Sequence, residues 1–209
     1  MDPAVTARPG LPGLLAPAAT VAVVAIGLRV SGLAAAEAVG FALAIAWAAA
    51  GLAVARTADR AVAWQIELGA LTGAVALTAA RLGGPHGQAV ATIAASLVIA
   101  ISFHFLLALP DGRLARPGRR IVVGLGYASA AGTGIGLAIA GQPFPQMAGA
   151  LIWPLAVLCA LPATRLRYLR AAGHDKERMQ WLGTGLVVAA SIALISVVLH
   201  LLVLSLIHI

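Results

Sequence analysis

Apolar residues run along this chain in long blocks, and the polar residues collect in short turns between them. Seven blocks, near 13–30, 33–55, 61–82, 88–109, 120–140, 146–164 and 180 to the end, reach or approach the roughly 20 residues that a helix needs to cross a bilayer. They lack the period-two alternation of half-buried strands and of membrane barrels. The pattern therefore predicts an all-α fold, a polytopic transmembrane bundle of about seven helices. The first block has one feature of a signal peptide, because Ala34-Ala35-Ala36 resembles a small-residue cleavage site. Its flanks argue for a retained helix instead: the amino-terminal region carries one Arg and one Asp, and Arg29 interrupts the stretch before the site.

Composition agrees with the pattern. The residues are 61% hydrophobic and 10% charged, whereas soluble domains are about half apolar and about a quarter charged. The net charge of +7 does not point to nucleic acid, because the basic residues sit between apolar blocks. They set orientation. With the amino terminus inside, the cytoplasmic side holds Arg8, Arg56, Arg60, Arg113, Arg116, Arg119, Arg120, Arg165, Arg167, Arg170, Lys176 and Arg178, and the outer side only Arg29 and Arg81. This is a positive-inside pattern for a multi-pass cell-membrane protein, and the lipid bilayer is its first partner. Trp64 and Trp181 fall at the inner interface, where an indole keeps its N–H wet. Cys159, the single cysteine, reads as a small packing residue, and no Cys-based metal site is available.

Few side chains in the spans invite chemistry. Glu67 lies about 9 Å into the third helix at the helical rise, and an ion pair with Arg56 or Arg60 is its expected fate. His104 is about six residues from the end of the fourth helix, and a neutral ring hydrogen-bonded to a neighbouring helix is its expected state. Both are also candidates for signal sensing, since ionisable residues within membranes are functional suspects by default. Glu37 and His200 lie near outer helix ends. Gly132 and Gly136 form a GxxxG pair suited to close helix packing, within one subunit or across a homodimer. The glycines of "GLGYASAAGTGIG" follow no strand, which excludes a dinucleotide fingerprint. Pro154 predicts a bend in the sixth helix. The sequence shows no catalytic residues, metal ligands or cofactor-binding motif.

Two loops are more specific. In "LLALPDGRL" Pro110 ends the fourth helix and Asp111-Gly112 supplies a turn, followed by the basic run Arg113, Arg116, Arg119 and Arg120. In "RYLRAAGHDKERMQWLGTG" Gly173 supplies a left-handed helix end and Asp175 an N-cap for the last helix, behind Arg165, Arg167 and Arg170. His174-Asp175 sits in this tight tip, and no dimerisation helices surround it as a phosphoacceptor would require.

Together these two loops resemble the amino-terminal membrane region of multi-pass sensor histidine kinases of actinobacterial type, over about residues 100–185. The resemblance implies a sensory and anchoring module of a two-component system. An eighth helix would lead to a cytoplasmic kinase that uses ATP and Mg, works as a homodimer and passes phosphate to a response regulator. This stretch would itself be no enzyme. The chain ends in "LSLIHI", which matches in one frame a translation of a transposon end used in sequencing libraries, CTG TCT CTT ATA CAC ATC. The expectation is a fragment: residues 1–203 are the membrane domain, 204–209 an adapter-derived tail, and the kinase domains are absent. The competing reading is a fragment of a transporter or permease.

Overall fold

In the computed structural model of the chain, the residues described are 12–145, apart from 31, 58, 59, 110, 111 and 115, together with 165, 166, 168, 169, 173, 176, 177 and 180. The described residues form five helices and no strand: α1 Pro12–Leu28, α2 Ala35–Thr57, α3 Arg60–Leu82, α4 Gly84–Ala108 and α5 Pro117–Ile139. Four of them, α2 to α5, are long and apolar enough to cross a membrane, and α1 is shorter. The fold is thus an all-helical, membrane-type bundle. The sixth and seventh predicted helices, Pro154, Cys159, His200 and the 204–209 tail lie outside the described residues.

Local chemistry explains where the helices start and stop. Helix α2 opens with half a capping box: the Glu37 carboxylate, at the third helical position, accepts the Ala34 backbone N–H at 2.9 Å. Helices α4 and α5 each have a proline in the first turn, Pro85 as the second residue of α4 and Pro117 as the first of α5, where the missing N–H costs nothing. These prolines start the two helices three or four residues earlier than the apolar blocks imply. Leu109 takes the extended geometry that a following proline imposes (φ −58°, ψ 146°), which ends α4 as the sequence predicts. Helix α5 closes on Gly141 at φ +65°, with Gln142 N–H donating to Leu137 O at 2.9 Å, a Schellman-type end.

Helix α3 is the centre. It packs against α1, α2 and α4, while α5 packs on α4. It is also the least apolar of the four long helices and carries Gln65, Glu67, Thr72, Thr78 and Arg81. Polar side chains in a membrane helix face protein rather than lipid, so the central place suits the least apolar of the four. Val24, Phe41, Ala44 and Ala74 form a buried cluster between α1, α2 and α3, with Val23 and Leu77 against it. Gly27 makes it possible, since a Cβ there would lie 2.6 Å from Phe41 Cζ and 2.7 Å from Thr78 Oγ1. Thr78 Oγ1 donates to Val23 O at 3.0 Å, tying α3 to α1. The outer faces keep large apolar residues exposed, among them Leu15, Leu125 and Ile139, as lipid-facing helices do.

The two ends of the bundle differ. The end where α3 stops and α4 begins carries Arg29, Glu37 and Arg81; the opposite end carries Arg56, Arg60, Arg113, Arg116, Arg119 and Arg120. They are called below the Arg81 end and the Gly112 end. Residues 150–209 form a separate compact unit. Within it Gly173 adopts φ +56°, the left-handed conformation expected of it, and its carbonyl accepts Lys176 N–H at 3.1 Å. Gln180 Nε2 donates to the Tyr168 hydroxyl at 2.9 Å, and Lys176 Nζ stands 5.4 Å from the Tyr168 ring centre. His174, Asp175, Arg178 and Trp181 lie outside the described residues.

Candidate functional site

A chain of polar groups crosses three helices at the Gly112 end. Gln65 of α3 donates from Nε2 to the carbonyl of Gly112 at 3.2 Å, in the turn after α4. The same Nε2 lies 3.3 Å from His104 Nε2 on α4. The other ring nitrogen of His104, Nδ1, lies 3.3 Å from the hydroxyl of Tyr127 on α5, and the two rings meet edge to face at 5.8 Å. Helix geometry brings these groups to one level. Side chains lean toward their own helix N-terminus. Helices α3 and α5 both start at the Gly112 end, so Gln65 and Tyr127 lean toward it while His104 on α4 leans away.

Donor and acceptor counting fixes the protons. The Gly112 carbonyl only accepts, so the amide atom facing it is the NH2. An NH2 has no lone pair to offer, so His104 Nε2 must be the acceptor. His104 is then neutral, carries its hydrogen on Nδ1 and donates it to Tyr127. Gln65 is 7% exposed and its Oε1 is buried without a hydrogen-bond partner among the described residues. The hydrogen bonding to neighbouring helices expected of His104 from the sequence is present.

Gly112 itself is pressed onto the start of α3. Gly112 has φ +69°, and a Cβ there would lie 2.7 Å from Val62 N and 2.8 Å from Ala61 Cβ. Only glycine combines that backbone with that approach. Arg120 Nε donates to Leu114 O at 2.9 Å, bracing the far side of the same turn.

Glu67 is 3% exposed and sits where α2 and α3 touch, its Cγ filling the space beside Gly51. The ion pair expected for it is absent among the described residues, and its Oε1 has no partner there. Arg60 lies seven residues back on α3, about 10 Å along the helix, and both Arg56 and Arg60 are exposed at the Gly112 end. Between these helices the carboxylate seen paired among the described residues is Glu37. It meets Arg81 of α3, whose Nε also donates to Gly27 O at 3.0 Å and whose other terminal nitrogen donates to Val30 O.

The remaining expectations divide. Around Gly132 and Gly136 nothing among the described residues lies within 4 Å of an added Cβ. The close approach to α4 is made by Gly134, where a Cβ would lie 2.9 Å from Ile93 Cα. Arg113 and Arg116 are exposed beside Gly112, Arg119 is half-buried in the first turn of α5, and Arg165 is exposed in the second unit. Arg167 and Arg170 lie outside the described residues. Among the described residues no group of three His, Cys, Asp or Glu side chains could hold a metal ion. Gln65, Tyr127 and the Arg81 contacts were not singled out by sequence reasoning. Tyr127 is nonetheless the only aromatic residue in α5, a signal that was there to be used. No family model, no curated protein and no solved structure matches the chain.

Proposed function

We propose that this chain is the membrane sensory and anchoring module of a two-component sensor histidine kinase, with seven helices in this stretch and an eighth leading to a kinase that uses ATP and Mg. The Gly112 end faces the cytoplasm in this reading, since the arginines collect there. The observation that carries it is the place of Gly112. The turn that belongs to the family-like motif "LLALPDGRL" is bonded, through Gln65, to a polar chain linking α3, α4 and α5. A shift among these helices therefore reaches the cytoplasmic turn directly. A stimulus drives such a shift only if it binds two helix arrangements with different affinity. The module works as a homodimer and reaches its response regulator through the kinase.

The test is to read the genomic coding sequence past Val203 and express the continued protein in membranes with labelled ATP. The expected result is an eighth apolar segment, then phosphoacceptor and ATP-binding boxes, with label appearing on the protein. A continued frame that encodes no kinase, or one that takes up no label, removes the proposal. One observation favours a transporter fragment as the second reading: Glu67 is a buried carboxylate in a span with no cation beside it among the described residues. Flux into liposomes that is abolished by Glu67→Gln and reduced by His104→Ala would favour it.

A further inference from the structure

We infer that the Gln65–His104 contact is a proton-operated latch on Gly112, closed when His104 is neutral and opened when its Nε2 takes a proton from the aqueous side. The inference comes from one atom making two bonds. Gln65 Nε2 faces both Gly112 O and His104 Nε2. A proton added to His104 Nε2 turns that nitrogen into a donor, facing an NH2 that also donates. The conflict ends only when the amide turns over and presents Oε1, which now lacks a partner. Oε1 then accepts the new N–H, but it also stands against the Gly112 carbonyl, oxygen to oxygen. The Gln65–Gly112 bond between α3 and the turn is lost, and the hold on Gly112 loosens. The Nδ1–H to Tyr127 bond is the same in both states, so the ring stays anchored to α5 while Gly112 is released. The step adds one proton at Nε2 and breaks no covalent bond.

The surroundings leave the latch to His104. From α5 the titratable group in contact is Tyr127. From α3 the contact is Gln65, while Glu67 on the same helix packs against Gly51 of α2. From α2 the ring that reaches α4 is Trp47, against Phe105. Among the described residues the charged groups at this end are Arg56, Arg60, Arg113, Arg116, Arg119 and Arg120, and no acidic side chain among those residues pairs with the His104 ring; Asp59 and Asp111 lie outside the described residues. The inference concerns the bundle alone and stands or falls separately from the kinase reading.

The test places a nitroxide at the exposed Arg116→Cys, in a Cys159→Ser background, on the full chain in lipid nanodiscs. Label mobility is then read over the histidine range, about pH 4 to 8. Losing one hydrogen bond should raise the ratio of mobile to immobile signal about five-fold as pH falls. In His104→Gln the ratio should stay at the closed value throughout. In Gln65→Met, which cannot donate to Gly112, it should be high at every pH. Circular dichroism reports whether each variant keeps its helices. A flat wild-type profile overturns the latch, and so does a wild-type response that persists in His104→Gln. If His104→Gln does not fold, Gln65→Met decides: a pH response like that of the wild type also overturns it.

Discussion

The two ends of the bundle are held together in opposite ways, by sets of helices that share α3. At the Arg81 end one guanidinium gathers Glu37, Gly27 O and Val30 O, and Glu37 in turn caps α2 through Ala34 N–H. The Arg81 side chain is 4% exposed. These are charge-assisted bonds, about twice as strong as neutral ones, and they join the end of α1, the start of α2 and the end of α3. At the Gly112 end the links are neutral, 3.2–3.3 Å long, and leave one buried oxygen unused. The Arg81 clamp has one satisfied arrangement. The Gln65 chain has a second arrangement available, reached by turning one amide. Fixed geometry at one end gives movement at the other a reference to act against.

The largest expected effect tests the clamp. Arg81→Ala leaves a carboxylate and two carbonyls without their cation; charge-assisted bonds are worth about 1.5–3 kcal/mol each, and with the Glu37 side chain 35% exposed the total loss should be about 3–4 kcal/mol. Unfolding in mixed detergent with rising dodecyl sulfate measures it. Arg81→Lys should recover part of this loss, because an ammonium cannot reproduce the planar fork. If Gln65→Leu proves as damaging as Arg81→Ala, the contrast between the two ends is wrong.

The next test sets two left-handed glycines against each other. Gly112 (φ +69°) would drive a Cβ into the backbone of α3, whereas Gly32 (φ +76°), in the loop after α1, has nothing within 4 Å. Gly32→Ala should therefore cost only the backbone strain, about 1 kcal/mol. Gly112→Ala adds overpacking and should cost about 3 kcal/mol. Equal costs would mean that Gly112 is not pressed onto α3. Gln65→Leu comes third, at about 1 kcal/mol for the lost bonds, since it also removes the unpartnered amide oxygen.

How much of this the sequence foretold follows from what each feature depends on. Helices α2 to α5 were legible because a run of about 20 apolar residues has one stable form in lipid. Their ends were legible only where a local rule was applied. Pro110 stopped α4 as expected, but Pro85 and Pro117 extended α4 and α5 backwards, and the same kind of rule would have found them. Partners across helices were not legible. Glu67 was matched with arginines near it in sequence, yet between α2 and α3 the carboxylate seen paired among the described residues is Glu37, with an arginine 44 residues away. Apolar blocks carry no information on which helix lies beside which. That His104 bonds to neighbouring helices could be foreseen from its depth. Its two partners could not, because Gln65 and Tyr127 reach it from helices 39 and 23 residues distant.

The smallest expected effect concerns α5, where the sequence pattern and the packing choose different glycines. The GxxxG spacing selects Gly132 and Gly136, and a motif of this kind allows backbones to meet. The contact with α4 instead runs through Gly134, two residues and therefore about 200° around the helix from each of them. Gly134→Ala pushes a methyl group toward Ile93 Cα and Ser96; the serine can rotate but the backbone must shift, at about 1 kcal/mol. Gly132→Ala and Gly136→Ala add a methyl group to an open face and should change stability by less than about 0.5 kcal/mol. Unfolding midpoints of the three variants in monodisperse detergent, with mass checked by light scattering, separate the cases. Should Gly132→Ala cost as much as Gly134→Ala, a further helix rests on that face. If the cost falls with dilution, the helix belongs to a second copy; if it does not, to the same chain.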